Sequence, residues 1–172
     1  MLNRNIIFTL LFFILTGVNV NANSSDDEDF RAARSTRITS EQIERLIKHP
    51  SIKVREALAQ NRRVKGNALF KLASDSSEQV RIAVATNLST DLRTFKKLAY
   101  DQNQAVKSVV ARFEYVPEEV LSILARDNSA EIRIEVARNL NTLKATLQLL
   151  LKDSDPDVKA TAAQALQRLA SE

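Results

Sequence analysis

Apolar positions return along this chain at a fixed interval. From residue 40 onward the pattern repeats every 26 residues without an insertion. Ile43 recurs as Leu69, Phe95, Leu121 and Leu147, and Leu46 recurs as Leu72, Leu98, Leu124 and Leu150. Val54 recurs as Val80, Val106, Ile132 and Val158, and Ala59 as Ala85, Ala111, Ala137 and Ala163. A strict period of about 20–50 residues is the signature of a solenoid, in which each unit buries its apolar face on the next.

Within a unit the spacing predicts two short helices. Ile43, Leu46 and Ile47 stand at i, i+3 and i+4, one face of a helix over about Ser40 to Lys48. Ser40 is the expected N-cap, its hydroxyl accepting from a free N–H of the first turn. A second helix over about Ile52 to Gln60 buries Val54, Ala57 and Leu58. Asn61, recurring as Asn87 and Asn139 with Phe113 interrupting, suits a left-handed residue closing that helix. Pro50, Pro117 and Pro156 stand at helix starts, where a missing N–H costs least. The last helix, about Pro156 to Ala170, is longer. Gln164, Gln167, Arg168 and Glu172 make it polar, as a capping element should be.

The run from Asp75 through Val80-Arg81 and Val84-Ala85 to Asn87 carries a family resemblance. It resembles HEAT-type repeats and is similar to the leucine-rich repeat variant family, over residues 40–170. That variant family commonly places Pro directly after the Asn. Here Arg62, Leu88, Glu114 and Leu140 stand there, which favours two true helices per unit. The expected fold is all-α, a right-handed α-solenoid of about five two-helix HEAT-like repeats. Both families imply recognition scaffolds, and neither implies a reaction.

The N-terminus reads differently. Arg4 is followed by a nearly continuous apolar run from Ile6 to Val18, and Val20-Asn21-Ala22 offers small residues for a signal peptidase. The run is shorter than the ~20 residues that span a bilayer. Residues 1–22 are therefore expected to be a signal peptide cleaved after Ala22, leaving no stable membrane span and a periplasmic or secreted protein. Residues 23–38 begin with an acidic run, Asp26-Asp27-Glu28-Asp29, answered by Arg31, Arg34 and Arg37, and read as a disordered linker. The repeat domain then occupies 39–172.

Composition removes most chemistry. The chain has no Cys, one His (His49) and two Gly. It can build no disulfide, thiol nucleophile, multi-histidine metal site or Gly-rich phosphate loop. No cofactor, metal or catalytic residue is expected. Asp153-Ser154-Asp155-Pro156-Asp157 alternates acidic residues but lacks the Gly and distal Glu of a calcium loop. Loss of Arg4 leaves 24 basic and 21 acidic residues, a net charge of +3, too mild to point to nucleic acid.

Two sets of columns remain. Arg55, Arg81, Lys107, Arg133 and Lys159 form a basic column. Asp75, Asp101, Asp127 and Asp153 each precede a base by six residues, with His49 in the first unit. The HEAT-like resemblance implies that they form structural ladders between units. The second set is the exposed stripe of the second helices, expected to line a concave face. It runs through Lys53, Glu56, Gln60 and Arg63 in the first unit. Further along it gathers Ile82, Arg112, Tyr115, Ile134 and Arg138, types that favour binding hot spots.

The expected function is an exported, monomeric scaffold for a protein or peptide partner, without catalysis. A solenoid for nucleic acid or another polyanion is the alternative; Glu56, Glu131 and Asp157 in the stripe weigh against it. A HEAT-like lyase-type enzyme is the third reading, for which no reactive constellation is visible. The competing reading of Ile82 and Ile134 is partial burial between units, and Glu135 and Thr161 in a normally apolar column point to a helix rotation that would bury Ile134. Phe113 is expected to fill core space beside Tyr115.

Overall fold

The computed structural model describes residues 25–171, and every regular element among them is an α-helix. The signal peptide expected over 1–22 lies outside the described residues. Helix α1 spans 25–33. Five pairs follow: α2 (Ser40–Leu46) with α3 (Ile52–Gln60), α4 (Asn67–Leu72) with α5 (Glu78–Ala85), α6 (Leu92–Ala99) with α7 (Gln104–Arg112), α8 (Glu118–Leu124) with α9 (Ala130–Arg138), and α10 (Lys144–Leu150) with α11 (Pro156–Ser171). The pairs pack in sequence, as an α-solenoid of HEAT-like repeats. No described helix is long and apolar enough to cross a membrane.

The repeated columns are the core. The Leu46 and Val54 columns are buried in all five units. Second helices stack directly on one another, α3 on α5 on α7 on α9 on α11, while the first helices touch more sparsely. The second helices therefore form the more closely packed layer of the stack.

A further core column lies in the loops after the second helices. Val64 and Val116 alternate there with Thr90 and Thr142. Each Thr hydroxyl donates to a last-turn carbonyl of the preceding helix, Thr90 to Val84 and Thr142 to Val136. Val supplies volume and Thr supplies a C-terminal hydrogen bond at the same place.

Three local expectations are corrected. The N-cap of α2 is Thr39 rather than Ser40. Its hydroxyl accepts from the Gln42 N–H while the Gln42 side chain accepts from the Thr39 N–H, a reciprocal capping box. Asn61 and Asn139 are extended, at φ −75° and −67°, and no described non-glycine residue has positive φ. Their conserved-looking spacing therefore serves another purpose, described below.

The third correction concerns residues 23–38. From residue 25 to 33 they form α1, with Ala33 and Asp29 buried and Phe30 packed against the core. Shifting α3 back by one 26-residue period gives 26–34, so α1 occupies the place of a second helix in a preceding half unit. Ala33 falls in the Ala59 column. The acidic run begins a packed helix because Asp and Glu favour a helix N-terminus.

Candidate partner-binding face

The ladders set the geometry of the stack. Each base reaches forward to the acid of the next unit, twenty residues on. Arg55 grips Asp75, Arg81 grips Asp101 and Arg133 grips Asp153, each with two N–H groups on the two carboxylate oxygens at 2.6–3.0 Å. Lys107 bonds Asp127 at 2.5 Å with its single ammonium. The six-residue pairing expected from the sequence exists only through the backbone. Arg81 Nη1 donates to the Asp75 carbonyl and Arg133 Nη1 to the Asp127 carbonyl. One face of each guanidinium thus ties its own loop while the other ties the neighbouring unit. Lys159, the fifth base, is exposed.

Each acid also closes the turn that leads into its own second helix. Asp75 Oδ1 accepts from the Ser77 N–H, Asp101 from Asn103, Asp127 from Ser129 and Asp153 from Asp155. Burial pushes the Asp75 carboxyl up, but hydrogen bonds from Arg55 and the Ser77 N–H outweigh it and hold it below the usual range. Arg133 holds Asp153 low in the same way, against the opposing effect of burial. The Asp153–Asp157 run is occupied by such bonds: Asp155 Oδ1 accepts from the Asp157 and Val158 N–H groups.

The first rung is inverted. Asp29 of α1 sits in the basic column and His49 in the acidic one, again twenty residues apart. His49 Nδ1 accepts from the Ser51 N–H, as the aspartates do elsewhere. Its Nε2 faces Asp29 at 3.3 Å and Asp26 at 3.5 Å. Arg45 completes the rung with two bonds to Asp29, whose carboxyl it holds below the usual range. His49 is a half-buried member of the ladder.

The Asn column makes a second ladder. Asn87 Nδ2 donates to the Ala59 and Asn61 carbonyls of the preceding unit, and Asn139 does the same to Ala111 and Phe113. Asn61 donates to the Ala33 and Ser35 carbonyls, so α1 is held by the contact that joins full units. Each Asn Oδ1 accepts from the N–H two residues on. Phe113 breaks this ladder. It is half-buried, 6.0 Å from the Phe95 ring and 5.7 Å from the Tyr115 ring between centroids.

Between the ladders the second helices present their free face. The columns of Lys53 and Gln60 are exposed in every unit, and in the Arg63 column Arg63, Tyr115 and Asn141 are exposed. Tyr115 is 61% exposed and the Arg138 side chain 63%. Ile82 and Ile134 are half-buried and pack on the core beneath this surface. They share that burial although Ala83 follows one and Glu135 the other, so Ile134 needs no helix rotation. The face thus brings Arg112, Tyr115 and Arg138 to the surface and keeps the two isoleucines as a partly covered floor. Leu88 and Leu140, 48% and 71% exposed, flank Tyr115 along the same edge and were not singled out from the sequence. Their column also holds Arg62 and Glu114, so no periodic signal marks them. Among the described residues no group of three or more His, Asp or Glu is placed to hold a metal ion.

The family model of the HEAT repeat matches residues 143–172, the α10–α11 unit. The four preceding pairs share its period and its ladders. No curated protein matches the chain significantly.

Proposed function

We propose that this protein is an exported, monomeric scaffold that docks a protein or peptide on its second-helix face and acts by rigid display, without catalysis. HEAT repeats are commonly interaction scaffolds, and this stack has their construction. The observation that carries the reading is the exposure of Arg112, Tyr115 and Arg138 together on one continuous face, over the half-buried Ile82 and Ile134. Aromatic residues and Arg over an apolar floor are the types that dominate binding energy. The side chains around them are locked in two ladders, so little conformational freedom is lost on docking. Export rests on the Arg4, Ile6–Val18 and Val20-Asn21-Ala22 pattern, which ends three residues before α1 begins.

The test is mild crosslinking of intact cells expressing a C-terminally tagged chain, followed by mass spectrometry. A mature N-terminus at Asn23 with an envelope or extracellular protein attached is the expected result. A chain retaining Met1 with cytoplasmic or nucleic-acid-associated partners would overturn it. Arg138→Glu should reduce capture of that partner while leaving the unfolding midpoint near the wild-type value.

A further inference from the structure

The free face is electrically divided along its length. At the start of the second helices the exposed charges are mostly acidic, Asp26 and Asp27 on α1, Glu131 on α9 and Asp157 on α11 against Lys53 on α3, with neutral Gln79 and Ala105 between them. At the opposite end, the columns of Gln60 and Arg63, extended back to α1, contain no Asp or Glu at all. They contain Arg34, Arg37, Arg63, Arg112 and Arg138. Arg34 and Arg63 line one open cleft of about 510 Å³ with Arg62. Arg34, Arg63 and Arg112 make no ion pair among the described residues, and Arg138 makes one, a 3.2 Å contact with Glu135. The helix dipole favours this polarity at each terminus. It does not by itself place Leu88, Tyr115 and Leu140 in the gaps between the arginines.

We infer that the arginine edge binds an acidic peptide segment carrying apolar side chains, laid across the second helices from α1 to α9. This inference rests on the docking reading above and names the chemistry of the partner. Carboxylates would meet Arg34 and Arg63 at one end and Arg112 and Arg138 at the other, with apolar side chains against Leu88, Tyr115 and Leu140. Arg suits this role because its planar fork pairs two-for-two with a carboxylate. A nucleic-acid backbone meets the same arginines less well, because its phosphates continue across the groove toward the acidic row and offer nothing to the exposed leucines. Four steps of about 10 Å between stacked helices span about 40 Å. An extended peptide covers that distance with about 12 residues at roughly 3.3 Å each.

The test uses the full repeat chain from residue 23 and three fluorescent probes in anisotropy titrations. One is a 12-residue peptide of alternating Glu and Leu with a central Phe. The second replaces every Glu by Lys. The third is a single-stranded DNA 12-mer. The acidic peptide is expected to bind, and to weaken several-fold between about 50 and 300 mM NaCl. The basic peptide should not bind. The pair Arg112→Glu with Arg138→Glu should weaken the acidic probe by roughly tenfold or more. Arg126→Glu, in the turn after α8, should leave it unchanged, with both variants melting near the wild-type temperature. Equal binding of both peptides, preferential binding of the DNA, no binding at millimolar peptide, or indifference to Arg112 and Arg138 would each overturn the inference. The docking reading fails separately. If Arg138→Glu abolishes cellular capture while the acidic probe does not bind, the face docks a partner of other chemistry.

Discussion

At the scale of single residues, the columns of this chain do two things at once, and substitutions expose both. Asp153 accepts from the Asp155 N–H in the turn before α11 and receives two bonds from Arg133, and their side chains are 10% and 13% exposed. Asp153→Asn leaves Arg133 facing a neutral amide in a nearly closed site. It should destabilise the protein by about 1–3 kcal/mol in urea unfolding. The same carboxylates set the acid limit. Asp29, Asp75 and Asp153 all have folded-state values below their unfolded ones. Their stabilisation is complete above the ordinary Asp range of about 4 and is lost as pH falls through the depressed values. Stability measured from pH 6 downward should therefore hold until about pH 4 and decline below it, and Asp153→Asn should flatten that decline. Phe113 gives a different test. It occupies an Asn position, so the Ala85 and Asn87 carbonyls lack the donor that Asn87 and Asn139 provide to their own preceding units. Phe113→Ala removes ring contacts with Phe95 and Tyr115. Phe113→Asn removes the same contacts but offers the missing donor. The Asn variant should be the more stable of the two by about 1–2 kcal/mol, two ordinary hydrogen bonds. Equal midpoints would show that the ladder is not transferable to this unit.

At the scale of elements, α3 is legible in the sequence to the residue, and α2 only to within two. The second helices carry a Val, an Ala-rich face and a bounding Asn, whereas α2 ends in a turn that still looks helical by its pattern. The ladder columns were equally visible, but their pairing was not. Distance along the chain cannot say whether a base turns back six residues or forward twenty, and only stacking decides that. Helix α1 was hidden for another reason. Its buried face is reduced to Phe30 and Ala33, and its rung is inverted, with Asp29 where Arg is expected. Once the Asp29–His49 separation is set beside Arg55–Asp75, the exchange of acid and base explains the single histidine. Helix α1 packs against the core at the start of the stack, so its removal uncovers apolar surface and takes away the carbonyls that accept from Asn61. A chain starting at residue 39 should lose about 2 kcal/mol relative to one starting at residue 23. Urea midpoints of the two chains check it. Equal midpoints would make α1 an ornament on a complete solenoid.

At the scale of the whole molecule, the substantial helix contacts among the described residues lie within a pair or between neighbouring pairs. Stability is then a sum of unit terms and interface terms, and the position of a defect decides what it does. Leu98 and Leu150 occupy the same column and are both buried. Either one changed to Ala leaves a cavity worth about 2–5 kcal/mol locally. Leu98 lies in the third unit, with two pairs on each side, so its loss weakens the coupling between the halves. Leu150 lies in the fifth, where α11 can fray while the first four pairs stay folded. Hydrogen exchange should separate the two. In the unaltered chain, protection should be highest in α5 to α8 and fall toward α1 and α11. Leu150→Ala should lower protection in α10 and α11 and spare the centre. Leu98→Ala should lower it across the stack and broaden the urea transition, since the two halves no longer melt together. The same independence protects the proposed docking face: Arg112, Tyr115 and Arg138 span the third and fourth units, so Leu98→Ala should weaken the acidic peptide more than Leu150→Ala does. If the two substitutions act alike in both measurements, the chain folds as one globular core and the nearest-neighbour account of the solenoid is wrong.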